Sequence, residues 1–227
     1  MSHLANITRI RAVSNALGNL RDEVVFIGGA TVSLYADRMA PEVRPTDDVD
    51  ILLEIATLTQ FAKVEERLRA AGFKNDTTAK FMGRYLLGGF IVDVMPTEKK
   101  ILGFVNRWYA EGYRTAIEYD IDGQNPIRIF TAPYFIAAKL EAFNNRGKGD
   151  GRTSTDFEDI VFVVENRRAI WQEMRASDPT VNNFLIDQFK TLQANTNIRE
   201  WIDAHSDFRS PPGSYFILNE LEGFLRV

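Results

Sequence analysis

Residues 24–54, VVFIGGATVSLYADRMAPEVRPTDDVDILLE, constrain the fold more than any other part of the chain. Val24-Val25-Phe26-Ile27 is a run of β-branched and aromatic residues, long enough for a buried strand and too short for a helix. Gly28 and Gly29 then permit a sharp turn. Ala30 to Tyr35 is expected to open a helix whose free N–H groups point back at that turn, an anion-binding arrangement. Asp48-Val49-Asp50-Ile51-Leu52 follows as a second strand. Side chains alternate across a strand, so Asp48 and Asp50 share one face while Val49 and Ile51 enter the core. Two carboxylates on one face of a half-buried strand repel each other unless a cation lies between them.

A third acid follows. Phe90-Ile91-Val92-Asp93-Val94-Met95 reads as a strand, joined to a preceding strand, Phe81–Leu87, through the hairpin-turn pair Gly88-Gly89. Asp93 is the lone acid of that apolar run and points to the face opposite Val92 and Val94. Desolvating a carboxylate is costly unless it is paired or bound to metal. Taken singly, a D-x-D is more often a solvated strand end or an ion pair with an arginine than a metal site, and Gly-Gly is often only a turn. The order strand, glycine turn, helix, Asp48 and Asp50, then Asp93 points to a metal site. Oxygen-only ligands suit Mg²⁺ or Mn²⁺, and paired ions clamp the attacking and leaving oxygens in phosphoryl chemistry. Gly28 and Gly29, with Thr31 just beyond, are the candidates for holding the phosphates of a nucleotide.

Composition removes most competing chemistries. The chain lacks cysteine, which excludes thiolate metal sites, disulfides and cysteine nucleophiles, and its only histidines, His3 and His205, are far apart. A net charge of −4 argues against a generally basic nucleic-acid coat while leaving room for a local basic patch. No apolar stretch approaches the ~18 residues of a membrane span, and residues 1–20 lack the apolar run of a signal peptide. A cytoplasmic, membrane-free protein is expected.

Around the acids, the pattern predicts an N-terminal helix to about Leu20 with Leu4, Ile7, Ile10, Val13 and Leu17 on its apolar side. A helix is expected from Leu58 to Ala71, ended by Gly72, and strands at Tyr113–Asp120 and Pro126–Phe130 with Asp122-Gly123 as their turn. From Ala132 the pattern turns helical: 133–143, 154–165, 167–176, 181–192, 198–204, and a short apolar helix after Pro-Pro-Gly at 211–213. NNRGKGDGRTST, between the first two of these helices, has the composition of a flexible loop. Trp108, Trp171 and Trp201 are expected to pack inside, and Arg44 is either a phosphate contact or a solvated loop residue. The expected division is an α/β core, residues 1–130, and a helical second domain, residues 131–227, that completes a nucleotide and acceptor cleft.

The segments FIGGATVSLY, RPTDDVDILLE and FIVDVMP together resemble the nucleotidyltransferase fold of the polymerase-β superfamily, a small mixed sheet flanked by helices in an α+β chain. The resemblance implies that Asp48 and Asp50 bind metal and that Asp93 completes the site and helps to activate the attacking hydroxyl. AAKLEAFNNRGKGDGRTSTDFEDIV is similar to the lysine helix and the D-x-x-D helix of AbiEii-type toxin nucleotidyltransferases of abortive-infection and toxin–antitoxin modules. That similarity implies that Lys139, Asp156 and Asp159 lie beside the nucleotide, with Lys139 among the catalytic groups. Read from the residues alone, Lys139 is equally an exposed lysine of an amphipathic helix, and Asp156 suits the first turn of a helix begun at Ser154.

The expected activity is transfer of a nucleoside monophosphate from an NTP to an acceptor hydroxyl with Mg²⁺ or Mn²⁺. The resemblance implies the toxin of a bacterial toxin–antitoxin pair, for which RNA such as tRNA is a candidate acceptor and a cognate antitoxin a candidate partner. Two alternatives stand: an enzyme of the same fold acting on a small molecule of aminoglycoside type, and a non-catalytic binding module that kept the fold. The last would lead if Asp93 faced away from Asp48 and Asp50.

Overall fold

The apolar run Val24–Ile27 forms the first strand, β1, and in the computed structural model all four of its side chains are buried. The structure describes residues 2–37, 43–121, 123, 126–206 and 213–226. The chain packs as two units, Met1–Thr31 with Glu42–Thr131, and Val32–Pro41 with Ala132–Val227.

In the first unit β1 is followed by β2 (Asp48–Leu53), β3 (Lys74–Asn75), β4 (Arg84–Leu87), β5 (Phe90–Pro96), β6 (Ile117–Asp120) and β7 (Pro126–Ile129). They form a seven-stranded sheet in the order β3-β4-β5-β2-β1-β7-β6. The sheet is mixed: β1 runs antiparallel to β2 and parallel to β7, while β2 runs parallel to β5. The β4–β5 hairpin turns on Gly88 and Gly89, whose φ values of 55° and 92° are those a tight two-residue turn demands. Helices α1 (Ser2–Leu17), α2 (Leu58–Ala70), α3 (Lys99–Leu102) and α4 (Tyr109–Arg114) belong to the same unit. A reciprocal capping box between Thr57 and Gln60 begins α2, and Gly72 follows its end at φ 92°.

The second unit is helical: α5 (Ala132–Arg146), α6 (Thr155–Asn166), α7 (Ile170–Arg175), α8 (Pro179–Gln193), α9 (Ile198–Asp203) and α10 (Gly213–Leu225). Two aromatic clusters fill it, Trp171 with Phe189 and Phe224, and Trp201 with Phe143 and Phe157. The Tyr35 ring packs 4.4 Å from that of Phe135, and Arg167 donates to the Tyr35 carbonyl, fastening residues 32–37 to these helices. Trp108 is buried in the first unit, so all three tryptophans pack as expected. Among the described residues no helix is long and apolar enough to cross a membrane.

Several local expectations need correction. The helix expected after the glycine pair is a 3₁₀ stretch, Gly29–Tyr35, because the Thr31 N–H and hydroxyl both bond the Gly28 carbonyl and tighten its first turn. Leu4, expected on the apolar side of α1, is 68% exposed, while Ile10, Val13 and Leu17 are buried. The strand expected from Phe81 begins only at Arg84, and the one expected from Tyr113 begins at Ile117. Tyr113 instead ends α4, where its hydroxyl donates to the Glu23 carbonyl and the Arg128 guanidinium covers its ring. The glycine-rich loop is pinned: Arg152 bonds Asp150 and Glu200, and His205 bonds the Gly151 carbonyl. Asp122, Pro211 and Pro212 lie outside the described residues.

Candidate active site

The β2–β5 register assembles the acids. Asp50 is paired with Asp93 on the neighbouring parallel strand, and Asp48 with Ile91. Residues in register on adjacent strands project to the same face, and so do residues two apart along one strand. Asp48, Asp50 and Asp93 therefore share one face, with Val49, Ile51, Val92 and Val94 buried behind them. The face grades from solvent inwards, the Asp48 side chain being 40% exposed and that of Asp93 8%.

The glycine turn lies against the same face. Ile27 pairs with Asp50 across the β1–β2 ladder, so the turn that follows Ile27 starts beside that carboxylate. Gly28 has φ 76°, and a Cβ there would lie 2.7 Å from Asp50 Cγ and closer still to Oδ2. Both the backbone angle and the approach of Asp50 require glycine. Next to it, Gly29 lies against the Arg44 guanidinium and the Thr46 methyl group. Thr46 is itself buried, within 3.3 Å of Asn6 Oδ1 and of the Asp48 carbonyl, which ties the entry of β2 to α1. Thr31 is fully buried with its hydroxyl given to Gly28, so it stiffens the turn rather than opening towards a ligand.

Sequence reasoning missed Arg84. Its Nε and Nη2 donate to the two oxygens of Asp93 at 2.7 and 2.6 Å, and Nη2 also lies 3.9 Å from Asp48 Oδ2. The bonds to Asp93 raise the guanidinium above its usual range despite the opposing effect of burial, with the Asp93 and Asp48 charges adding to the rise. The signal was present: across a two-residue turn Leu87 faces Phe90, and counting three residues outwards on each side brings Arg84 opposite Asp93. Arg84 also lines an open pocket of about 300 Å³ with Asp76, Lys80, Phe81 and Met82.

By kind, three carboxylates are donors that suit Mg²⁺ or Mn²⁺. By arrangement, the described residues hold no group of three His, Cys, Asp or Glu placed to grip a metal ion. Asp93 gives both its oxygens to Arg84, a cation already standing against the acid face.

Lys139, Asp156 and Asp159 come together in the second unit as an ion-pair network. The ammonium of Lys139, on α5, lies 3.1 Å from Asp156 Oδ1 and 2.6 Å from Asp159 Oδ2, both on α6, and all three side chains are buried. Asp156 sits in the first turn of α6, whose N-cap is Ser154, and takes two further bonds from Arg146 at 2.6 and 2.8 Å. Burial pushes the Asp156 carboxyl up, but the Arg146 bonds and the Lys139 and Arg146 charges outweigh it and hold the group below the usual carboxylate range. Lys139 is thus not the exposed lysine that an amphipathic helix alone allows.

No protein-family model matches the chain, and no curated protein matches it. Solved structures do. The solution structure of the antibiotic-resistance factor ANT(2'')-Ia aligns with a TM-score of 0.50 at 14% identity, over 85% of this chain and 97% of that one. The crystal structure of ANT(2'')-Ia in complex with adenylyl-2''-tobramycin aligns with a TM-score of 0.47 at 14% identity, over 82% and 98%. At such identity the likeness is one of fold, and the expected α+β nucleotidyltransferase fold is the one this chain adopts.

Proposed function

We propose that this chain is a nucleotidyltransferase, dependent on Mg²⁺ or Mn²⁺, that moves a nucleoside monophosphate from an NTP to an acceptor hydroxyl. The observation that carries the reading is the β2–β5 register, which sets Asp93 beside Asp50 on the face that Asp48 shares. Three carboxylates on a partly desolvated face destabilise a chain that does not use them, which weighs against a binding module that only kept the fold.

In the reaction the acceptor oxygen bonds to the α-phosphorus while the bond from that phosphorus to the α,β-bridging oxygen breaks. Pyrophosphate leaves with the electron pair, and the acceptor proton passes to a carboxylate of the acid face, for which Asp93 is our candidate. A bound divalent cation supplies charge neutralisation at the phosphoryl oxygens. Asp48, Asp50 and Asp93 are the residues that would hold it. The Gly28 turn lets the chain pass close to Asp50, and the hydroxyl of Thr31 keeps that turn closed. For Lys139, the burial of its ammonium between two carboxylates supports a bracing role for the Lys139–Asp156–Asp159 network over direct phosphate contact.

Two acceptors are proposed. A small molecule of aminoglycoside type is suggested by the fold shared with an antibiotic-resistance factor. RNA such as tRNA, with a toxin role and a cognate antitoxin, is suggested by the AbiEii-like segment 137–161. Label transfer from each of four α-labelled NTPs with Mg²⁺, offered total RNA or an aminoglycoside panel, separates them when wild type is compared with Asp48→Ala. Label that vanishes in the variant names the acceptor class. Absence of both transfer and nucleotide binding in the wild type would return the chain to the binding-module reading.

A further inference from the structure

We propose that Arg84 is the resident counter-ion of the acid face: it holds Asp93 while no divalent cation is bound and gives way when one arrives. The inference rests on the nucleotidyltransferase reading, because it takes a divalent cation to come to Asp48, Asp50 and Asp93.

Three observations carry it. First, the face calls for positive charge in every state, since its three carboxylates lie on one side of the sheet and Asp93 is buried. Arg84 brings such charge to two of the three acids, gripping both oxygens of Asp93 and lying within 3.9 Å of Asp48. Second, three acids share a face, yet no three acidic groups among the described residues are placed to grip a metal ion. Asp93 is the acid of that face whose two oxygens both accept from Arg84. Third, the guanidinium has somewhere to go. It forms part of the wall of the 300 Å³ pocket, where Asp76 offers a second carboxylate and the Phe81 ring lies 5.7 Å from Arg84 Cζ. The β4–β5 pairing keeps the Arg84 and Asp93 backbones opposed throughout, so the exchange is a side-chain rotation and needs no strand movement.

Such an exchange weakens metal binding by competition and protects the acid face from its own repulsion before the metal binds. Titration of the full chain with Mn²⁺, without nucleotide, reads the first effect through the free-ion spin resonance signal. Arg84→Gln is expected to bind Mn²⁺ about tenfold more tightly than wild type or better, because one positive charge has left the face. Arg84→Lys, which keeps the charge but not the two-point grip, is expected to bind about threefold more tightly. Thermal unfolding reads the second effect. Arg84→Gln should melt below wild type in chelator, and Mn²⁺ should raise its midpoint more than that of wild type.

Wild type and Arg84→Gln binding Mn²⁺ equally well would overturn the inference while leaving the enzyme reading in place. If neither binds Mn²⁺, with or without NTP, the metal-dependent reading falls as well, and Arg84–Asp93 is a fixed ion pair. Should Arg84→Gln fail to fold, Arg84→Lys decides, and an unchanged affinity in that variant counts against the proposal.

Discussion

Asp50 and Asp93 stand opposite each other on two parallel strands that meet in the middle of the sheet, each chain-neighbour of theirs turned to the other side. On the proposed reading, work on one phosphoryl group needs both at once. Asp50→Asn and Asp93→Asn are each expected to slow nucleotidyl transfer by about 10²-fold or more. Initial rates at saturating NTP check this, and an Asp50→Asn enzyme with the wild-type rate would remove the acid face from the reaction.

Gly28→Ala tests the approach of the turn to Asp50. The substitution meets both a left-handed φ and the carboxylate, so a loss of roughly 2–4 kcal/mol in urea unfolding is expected. Gly72→Ala has a similar φ of 92° but nothing within 4 Å of the new Cβ. It should lose only about 1 kcal/mol, and equal losses at the two positions would mean that Asp50 plays no part.

Lys139→Met leaves Asp156 and Asp159 buried without the ammonium between them. The expected cost is about 3–5 kcal/mol, the usual penalty for breaking a buried pair from one side. Replacing Asp159 by Asn in the same chain should recover part of it. A wild-type unfolding midpoint for Lys139→Met would show that Arg146 alone satisfies Asp156.

Acid sensitivity follows from Asp156. Its folded carboxyl titrates below the ordinary range, so the folded state binds fewer protons than the unfolded state there. The stabilisation is complete above the unfolded value, near pH ~3.9, and is lost as pH falls through the lower folded value. Asp156→Asn should therefore be less stable than wild type at neutral pH and show a shallower fall in stability on acidification. Unfolding midpoints between about pH 2 and pH 6 measure both.

Local periodicity carried much of the fold. Val24–Ile27 is legible because four apolar residues ended by Gly28 can only be a short buried strand. Asp48, Asp50 and Asp93 are legible because alternation decides facing once a strand is recognised. What escaped depends on partners distant in the chain. Tyr113 reads as β-forming until Glu23 and Arg128 claim it for the end of α4. Asp150, Arg152 and Glu200 hold a loop whose composition suggests mobility. Arg84 needed only the hairpin count, but no single-residue preference announces that an arginine will answer an acid on the next strand.

Exposed loop tips are ordinarily where a chain tolerates an inserted residue. The tip at Gly88-Gly89 is exposed, yet its length decides which residue of β4 lies across from Asp93. One extra residue there would slide Arg84 past its partner and turn it towards the opposite face of the sheet. Drift by insertion, harmless at most such tips, would here strip an acid of its counter-charge while leaving every site residue in the gene.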